Sequence, residues 1–116
     1  MRFAFISDIH GNYVALEAVL ADLKQVGAAQ IICLGDVANL GPQPHEVVAC
    51  LRQMDVTCVM GNHDAFLLDD SLIKNYTKEP WFEDTIKWCH SRLNSEDLAF
   101  IRSFQPTVKI PLGGGD

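Results

Sequence analysis

The sequence has no apolar run near the roughly 18 residues that a membrane span requires. Its opening run, Met1 to Ser7, is cut short by Asp8 and His10, too soon for the core of a signal peptide. A soluble, cytoplasmic protein with no membrane partner is therefore expected. Cations are also scarce: nine Lys and Arg stand against fifteen Asp and Glu, for a net charge of −6. Coating a nucleic-acid backbone needs clustered Lys and Arg, so the balance argues against that role. It leaves a phosphorylated substrate open, because bound metal cations invert the local field. The four cysteines (Cys33, Cys50, Cys58, Cys89) show no C-x-x-C spacing, which counts against a zinc knuckle or a disulfide framework. Cys33 and Cys58 fall inside apolar runs, where a reduced thiol behaves as a small hydrophobe. No internal repeat or low-complexity tract is present. Nor does a Gly-x-Gly-x-x-Gly follow the first apolar run, where Asp8 and His10 stand instead, and a nucleotide-binding redox domain is correspondingly disfavoured.

What is present suits one globular domain over residues 1–116, with 48% hydrophobic and 21% charged residues. Arg2 to Ser7, Gln30 to Leu34 and Val56 to Met60 are short apolar runs fit for buried strands. Between them, Val14 to Val26 places Leu16, Val19, Leu20, Leu23 and Val26 on one helical face, with Gly27 as its terminator. The turn Gly41-Pro42-Gln43-Pro44 opens a second helix carrying Val47, Val48, Leu51 and Met54. This alternation predicts an α/β fold built on a β-α-β-α-β parallel sheet with right-handed crossovers. Further on, Trp81 to Leu93 reads as a helix, and Asn94 or Ser95 caps another bearing Leu98, Ile101 and Phe104. Thr107 to Leu112 is expected to be a fourth strand, and Gly113 to Asp116 a flexible end.

Three polar clusters each sit just beyond one predicted strand: Asp8-Ile9-His10, Gly35-Asp36 and Gly61-Asn62-His63-Asp64. In open parallel sheets the ligand crevice lies outside those strand ends, so the clusters should converge. In extended chain, residues two apart point the same way, which would turn Asp8 and His10 toward one ion and Ile9 toward the core. A carboxylate with an imidazole suits manganese, iron, cobalt, nickel or zinc. Asp36 has two oxygens with which to bridge two metals, and Asn62 offers a carbonyl ligand. His63 is placed to protonate a leaving oxygen or steady a phosphate, with Asp64 fixing its orientation. Singly, each cluster has a plainer reading: Gly-Asp is a common turn, and Asn62-His63-Asp64 suits a helix cap. Their shared placement at three strand ends is what separates them from surface residues. His45 and His90, on predicted helices away from those ends, read as ordinary helix residues, and Asp69-Asp70 as a solvated loop.

The set D-x-H, G-D, G-N-H-D resembles the first three motifs of the calcineurin-like metallophosphoesterases. The stretch Gly35-Asp36-Val37-Ala38-Asn39-Leu40-Gly41-Pro42, and the later Trp88 to Phe104, resemble the bacterial and archaeal branch of small phosphodiesterases related to diadenosine tetraphosphatases. The resemblance implies the N-terminal half of a four-layer α/β/β/α sandwich. It also implies a site with two divalent metal ions: Asp8 and His10 on the first, Asp36 bridging, Asn62 on the second, and His63 with Asp64 as catalytic residues at the phosphate. Hydrolysis of a phosphomonoester or phosphodiester by a hydroxide bridging the two metals would follow.

Members of that family continue through a Gly-His and a Gly-His-x-His motif, neither of which occurs before Asp116. A domain truncated before its C-terminal histidine motifs is expected, with at most one metal held well and weak or no activity alone. The alternative is a non-catalytic metal-binding or scaffold module that keeps half of the site. Strands such as Gln30 to Leu34 do not alternate, so the sheet face away from the first two helices also needs a cover. Later helices, a second copy in a homodimer, or a further part of a longer protein would supply it.

Overall fold

Each of the three apolar runs supplies a strand, and all three pair in parallel. In the computed structural model, which describes residues 2–111, β1 (Phe3–Ile6), β2 (Gln30–Cys33) and β3 (Thr57–Cys58) form one sheet in the order β1-β2-β3. Phe3 pairs with Gln30 and Ile6 with Cys33, and Cys33 pairs in turn with Cys58. Sequential strand order fits short crossovers, each made by one helix. The α/β expectation therefore holds.

The first crossover is α1 (Tyr13–Val26). Its start is fixed by Asn12, whose side-chain oxygen accepts the Ala15 N–H at 3.0 Å. It ends at Gly27, which takes the left-handed conformation (φ 76°) and returns its N–H to Leu23. The second crossover, α2 (Pro44–Gln53), has Pro44 in its first turn, where no N–H is needed, and buries Val47, Val48 and Leu51.

Three elements after β3 form a stretch not expected from the sequence: α3 (Asn62–Leu68), a 3₁₀ turn (Asp70–Leu72) and α4 (Ile73–Tyr76). Asp69, expected in a solvated loop, is exposed and holds the 3₁₀ turn by accepting the Ser71 N–H at 3.1 Å. The two expected later helices are α5 (Pro80–Ser91) and α6 (Ser95–Arg102). Asn94 caps α6 reciprocally: it accepts from Asp97 N–H at 2.8 Å while Asp97 accepts from Asn94 N–H at 3.0 Å. Asp97, fully buried, also takes His45 Nδ1 at 2.6 Å and so ties α6 to α2.

The fourth strand does not form within the described residues. Gln105 makes an isolated parallel bridge to Val59, and 107–111 carry no strand pairing. Pro106, which lacks an N–H, follows the bridge directly and cannot extend the ladder. Leu112, the last residue of that expected strand, and the Gly113 to Asp116 end lie outside the described residues.

The core lies on the β2–β3 side. Cys33 and Cys58, both free thiols, are buried with Val47, Val48 and Leu51. Phe66, Leu67, Ile86, Cys89, Ile101 and Phe104 from the later helices join the same cluster. The later helices thus share one core with the α2 stripe, and α6 packs directly on α2. The β1–α1 side is thinner: Leu16 is the one residue of α1 that is buried, and Phe5, Val14, Val19, Val26 and Leu34 stay exposed. Among the described residues no helix is long and apolar enough to cross a membrane.

Candidate metal centre

Beyond the strand ends the connecting loops continue to pair. Asp8 N–H donates to Gly35 O at 3.1 Å, His10 N–H to Asp36 O at 3.0 Å, and Gly11 N–H to Val37 O at 2.8 Å. This ladder fixes the first two polar clusters against each other. It also bends them: Asp8, His10 and Asp36 all adopt left-handed backbone, with φ of 55°, 47° and 58°. Asp and His tolerate that region better than most residues, at a cost of order 1 kcal/mol each. Asp8 and His10 do face each other, with His10 Nε2 3.4 Å from Asp8 Oδ1. The cause is this pair of left-handed turns, and the expectation that extended chain would align them is corrected. Left-handed strain concentrated in candidate ligands is the pattern of a functional site.

Gly61 begins the third cluster. A Cβ built on it would overlap the Asp36 carboxylate and lie 2.9 Å from Asp36 N. Only glycine lets the third strand end approach so closely. Gly61 caps α3, whose first residues are Asn62, His63 and Asp64. Asp36 Oδ1 accepts the His63 N–H at 3.0 Å, which pins the carboxylate and leaves Oδ2 free of that bond.

His10, Asp36 and His63 converge, and one potential ligand atom from each lies within 4.8 Å of the others. The imidazoles of His10 and His63 meet edge to face at 5.0 Å. Asp8 flanks this set through its contact with His10. Its carboxyl is held below the usual carboxylate range, chiefly by the Ser7 hydroxyl, which donates to Asp8 Oδ2 at 2.7 Å. Asn62 stands exposed at the start of α3 and makes no side-chain hydrogen bond among the described residues.

Asp64 takes a different place from the one its sequence position suggested. It is fully buried, and its carboxylate accepts N–H bonds from Asp36 (2.8 Å), Val37 (3.0 Å) and Gly61 (2.9 Å). With its lone pairs committed to three backbone donors, it joins two strand-end loops and does not orient His63. Burial pushes its pKa up, against the opposing pull of those three bonds.

Asn39 performs that orienting task, and the sequence reading gave it no role. Its backbone carbonyl lies 2.9 Å from His10 Nδ1 and its side-chain amide nitrogen 2.9 Å from His63 Nδ1. A carbonyl only accepts, so His10 carries its proton on Nδ1 and its Nε2 lone pair is free for an ion. The amide nitrogen only donates, so neutral His63 carries its proton on Nε2 and turns a donor toward the cluster. The signal for Asn39 was a polar side chain three residues after Asp36, in a segment where Val37 and Ala38 are apolar. It is completely buried, and its Oδ1 has no hydrogen-bond partner among the described residues. His63 itself is enclosed by the rings of Phe66 (5.4 Å), Tyr76 (5.7 Å) and Phe82 (5.7 Å). That burial holds its imidazole below the usual histidine pKa.

His45 and His90 lie on α2 and α5, as expected, outside the cluster.

Residues 1–114 match the family model described as calcineurin-like phosphoesterase. The chain belongs to that family. It is 38% identical over 111 residues to an uncharacterised protein of Methanocaldococcus jannaschii, covering 96% of this chain and 45% of that one. Phosphodiesterase YfcE of Escherichia coli is 36% identical over 91 residues, covering 70% of this chain and 49% of its own. A crystal structure of a metallophosphoesterase from Sphaerobacter thermophilus superposes with a TM-score of 0.70 at 35% identity, over 90% of this chain and 41% of that one. The chain thus spans about half the length, or less, of the relatives it matches. Members of this family are metal-dependent phosphoesterases, and a carboxylate with one free imidazole lone pair beside it is a donor set that fits a divalent transition ion.

Proposed function

We propose that the chain carries the metal-holding and phosphate-facing part of a phosphoesterase that hydrolyses phosphomonoesters or phosphodiesters. The observation that carries this reading is the convergence of His10, Asp36 and His63 where three strand ends meet. Asp8, His10 and Asp36 would hold one divalent ion, and Asp36 with Asn62 would serve a second. Manganese, iron, cobalt, nickel and zinc all suit these donors. When bound, the ions supply Lewis-acid polarisation of a phosphoryl oxygen and an acidified water.

The chain's own residues do the remainder. Asp36 is presented by the ladder between the first two loops and by the His63 N–H. His10 offers Nε2 because the Asn39 carbonyl holds its other nitrogen. His63 presents Nε2–H to a phosphate oxygen, and its depressed pKa keeps the ring neutral, so it steadies that oxygen by donating a hydrogen bond. Asp64 keeps the loops in register without touching substrate. The name of the Escherichia coli relative favours a phosphodiester among the two substrate classes.

The test is turnover of bis(p-nitrophenyl) phosphate by the manganese-supplemented chain. The proposal expects turnover that disappears in Asp36→Ala. Metal binding without turnover would show that this chain alone is not a competent enzyme.

A further inference from the structure

A half-open aromatic ring stands directly beside the phosphate-facing histidine. Tyr76 is the last residue of α4, a helix of one turn anchored from below by buried Ile73. Its ring packs on His63 at 5.7 Å, on Phe66 at 5.1 Å and on Phe82 at 5.2 Å. Phe66 and Phe82 are each 5% exposed, so they form the floor of this group. Tyr76 is 54% exposed despite those three contacts. Its ring is therefore fixed on one side and open on the other. Trp81, 61% exposed, extends the same wall by packing edge-on against Phe82 at 5.6 Å.

Exposing a tyrosine ring to this degree forgoes burial energy that a fully enclosed ring would gain. A ring held rigidly with a free face, one imidazole away from a charged cluster, is suited to stack on another flat ring. Whatever group is esterified to a phosphate held by His10, Asp36 and His63 must leave the cluster, and the Tyr76 side is one of its boundaries. We propose that Tyr76 is a specificity-determining residue that stacks on an aromatic ring carried a few bonds from the phosphorus. The substrate class is then a nucleotide or an aryl ester, in preference to a bare sugar or alkyl phosphate. This rests on the phosphoester reading of the same site.

Two ligand pairs test it on the manganese-loaded chain: adenosine monophosphate against ribose phosphate, and benzylphosphonate against ethylphosphonate. Each pair keeps the anionic group and removes the ring. The wild-type chain is expected to bind the ring-bearing member of at least one pair about tenfold more tightly, within the range base–aromatic stacking contributes. Discrimination in the first pair alone marks a nucleobase, and in both a general aryl preference. Tyr76→Phe should retain the ratio, and Tyr76→Leu, which keeps apolar bulk without a π face, should bring it to about one. Ratios near one in the wild type, or an unchanged ratio in Tyr76→Leu, overturn the inference while leaving the phosphoester reading intact. If neither inorganic phosphate nor any of the four ligands binds, the phosphoester reading fails and this inference fails with it.

Discussion

The side-chain amide of Asn39 donates to Nδ1 of His63 at 2.9 Å, and both residues are buried. Since the Asn39 carbonyl also receives Nδ1–H of His10, one residue sets the tautomers of two imidazoles in opposite senses. Long-range ¹H–¹⁵N spectra of the metal-free chain should show His10 protonated on Nδ1 and His63 on Nε2.

Replacing Asn39 tests the consequence. Asn39→Ala leaves a buried imidazole nitrogen unpaired, which costs about 1–3 kcal/mol of stability. It should also lower phosphodiester turnover by about 10–100-fold, the usual effect of losing a residue that orients a ligand or catalytic group. Asn39→Asp puts a carboxylate where the amide donates. That stabilises imidazolium, so the His63 pKa should rise and the acidic limb of the pH–rate profile should move to higher pH.

Gly61→Ala should be severely disruptive although Gly61 has an ordinary φ of −87°. The added methyl meets the Asp36 carboxylate and its N–H, so Asp36 or the start of α3 must move. Overpacking of this kind costs about 1–3 kcal/mol. Manganese affinity, read by calorimetry, should fall with it.

Much of this arrangement was legible in the sequence, for definite reasons. Segments 3–6 and 31–33 are continuously apolar, as strands of a parallel sheet are, so the strand ends and the polar clusters beyond them could be located. The Asn12 and Asn94 caps and the Gly27 terminator follow local rules that need no tertiary knowledge. Less legible were features set by long-range contacts. α3 is only seven residues long and starts inside the Gly61 to Asp64 motif, so its helical nature was hidden behind its chemistry. Asp64 looked like a partner for the adjacent His63, but three N–H groups from two loops claim its carboxylate. Left-handed turns at Asp8 and His10 depend on the ladder to Gly35 and Asp36 and leave no periodic trace.

Asp64→Asn separates support from catalysis. The amide replaces one acceptor oxygen with a donor that faces backbone N–H groups, and hydrogen bonds to a charged acceptor are worth about 1.5–3 kcal/mol each. Urea denaturation should show a loss of at least about 2 kcal/mol. Turnover per metal-loaded folded molecule should change far less than in His63→Gln.

Acidification should destabilise the metal-free chain through His63. Its folded pKa is depressed by burial below the ordinary imidazole value of 6.5. Above that value both folded and unfolded forms are neutral, and no penalty exists. As pH falls through it the unfolded chain binds a proton that the folded chain resists, so stability declines until the folded pKa is reached. Asp64 acts oppositely, its raised pKa favouring the folded state only on further descent toward the carboxylate range. In chelator, the urea midpoint should drop between about pH 7.5 and about pH 5.5. His63→Gln should reduce that drop.

Calorimetric titration of Mn²⁺ into the purified chain tests the central claim most directly. If His10, Asp36 and their neighbours form a metal centre, the wild type binds with a dissociation constant below the millimolar range, and both His10→Ala and Asp36→Ala abolish the signal. A wild type that shows no binding, or variants that bind as tightly as it does, would contradict the account.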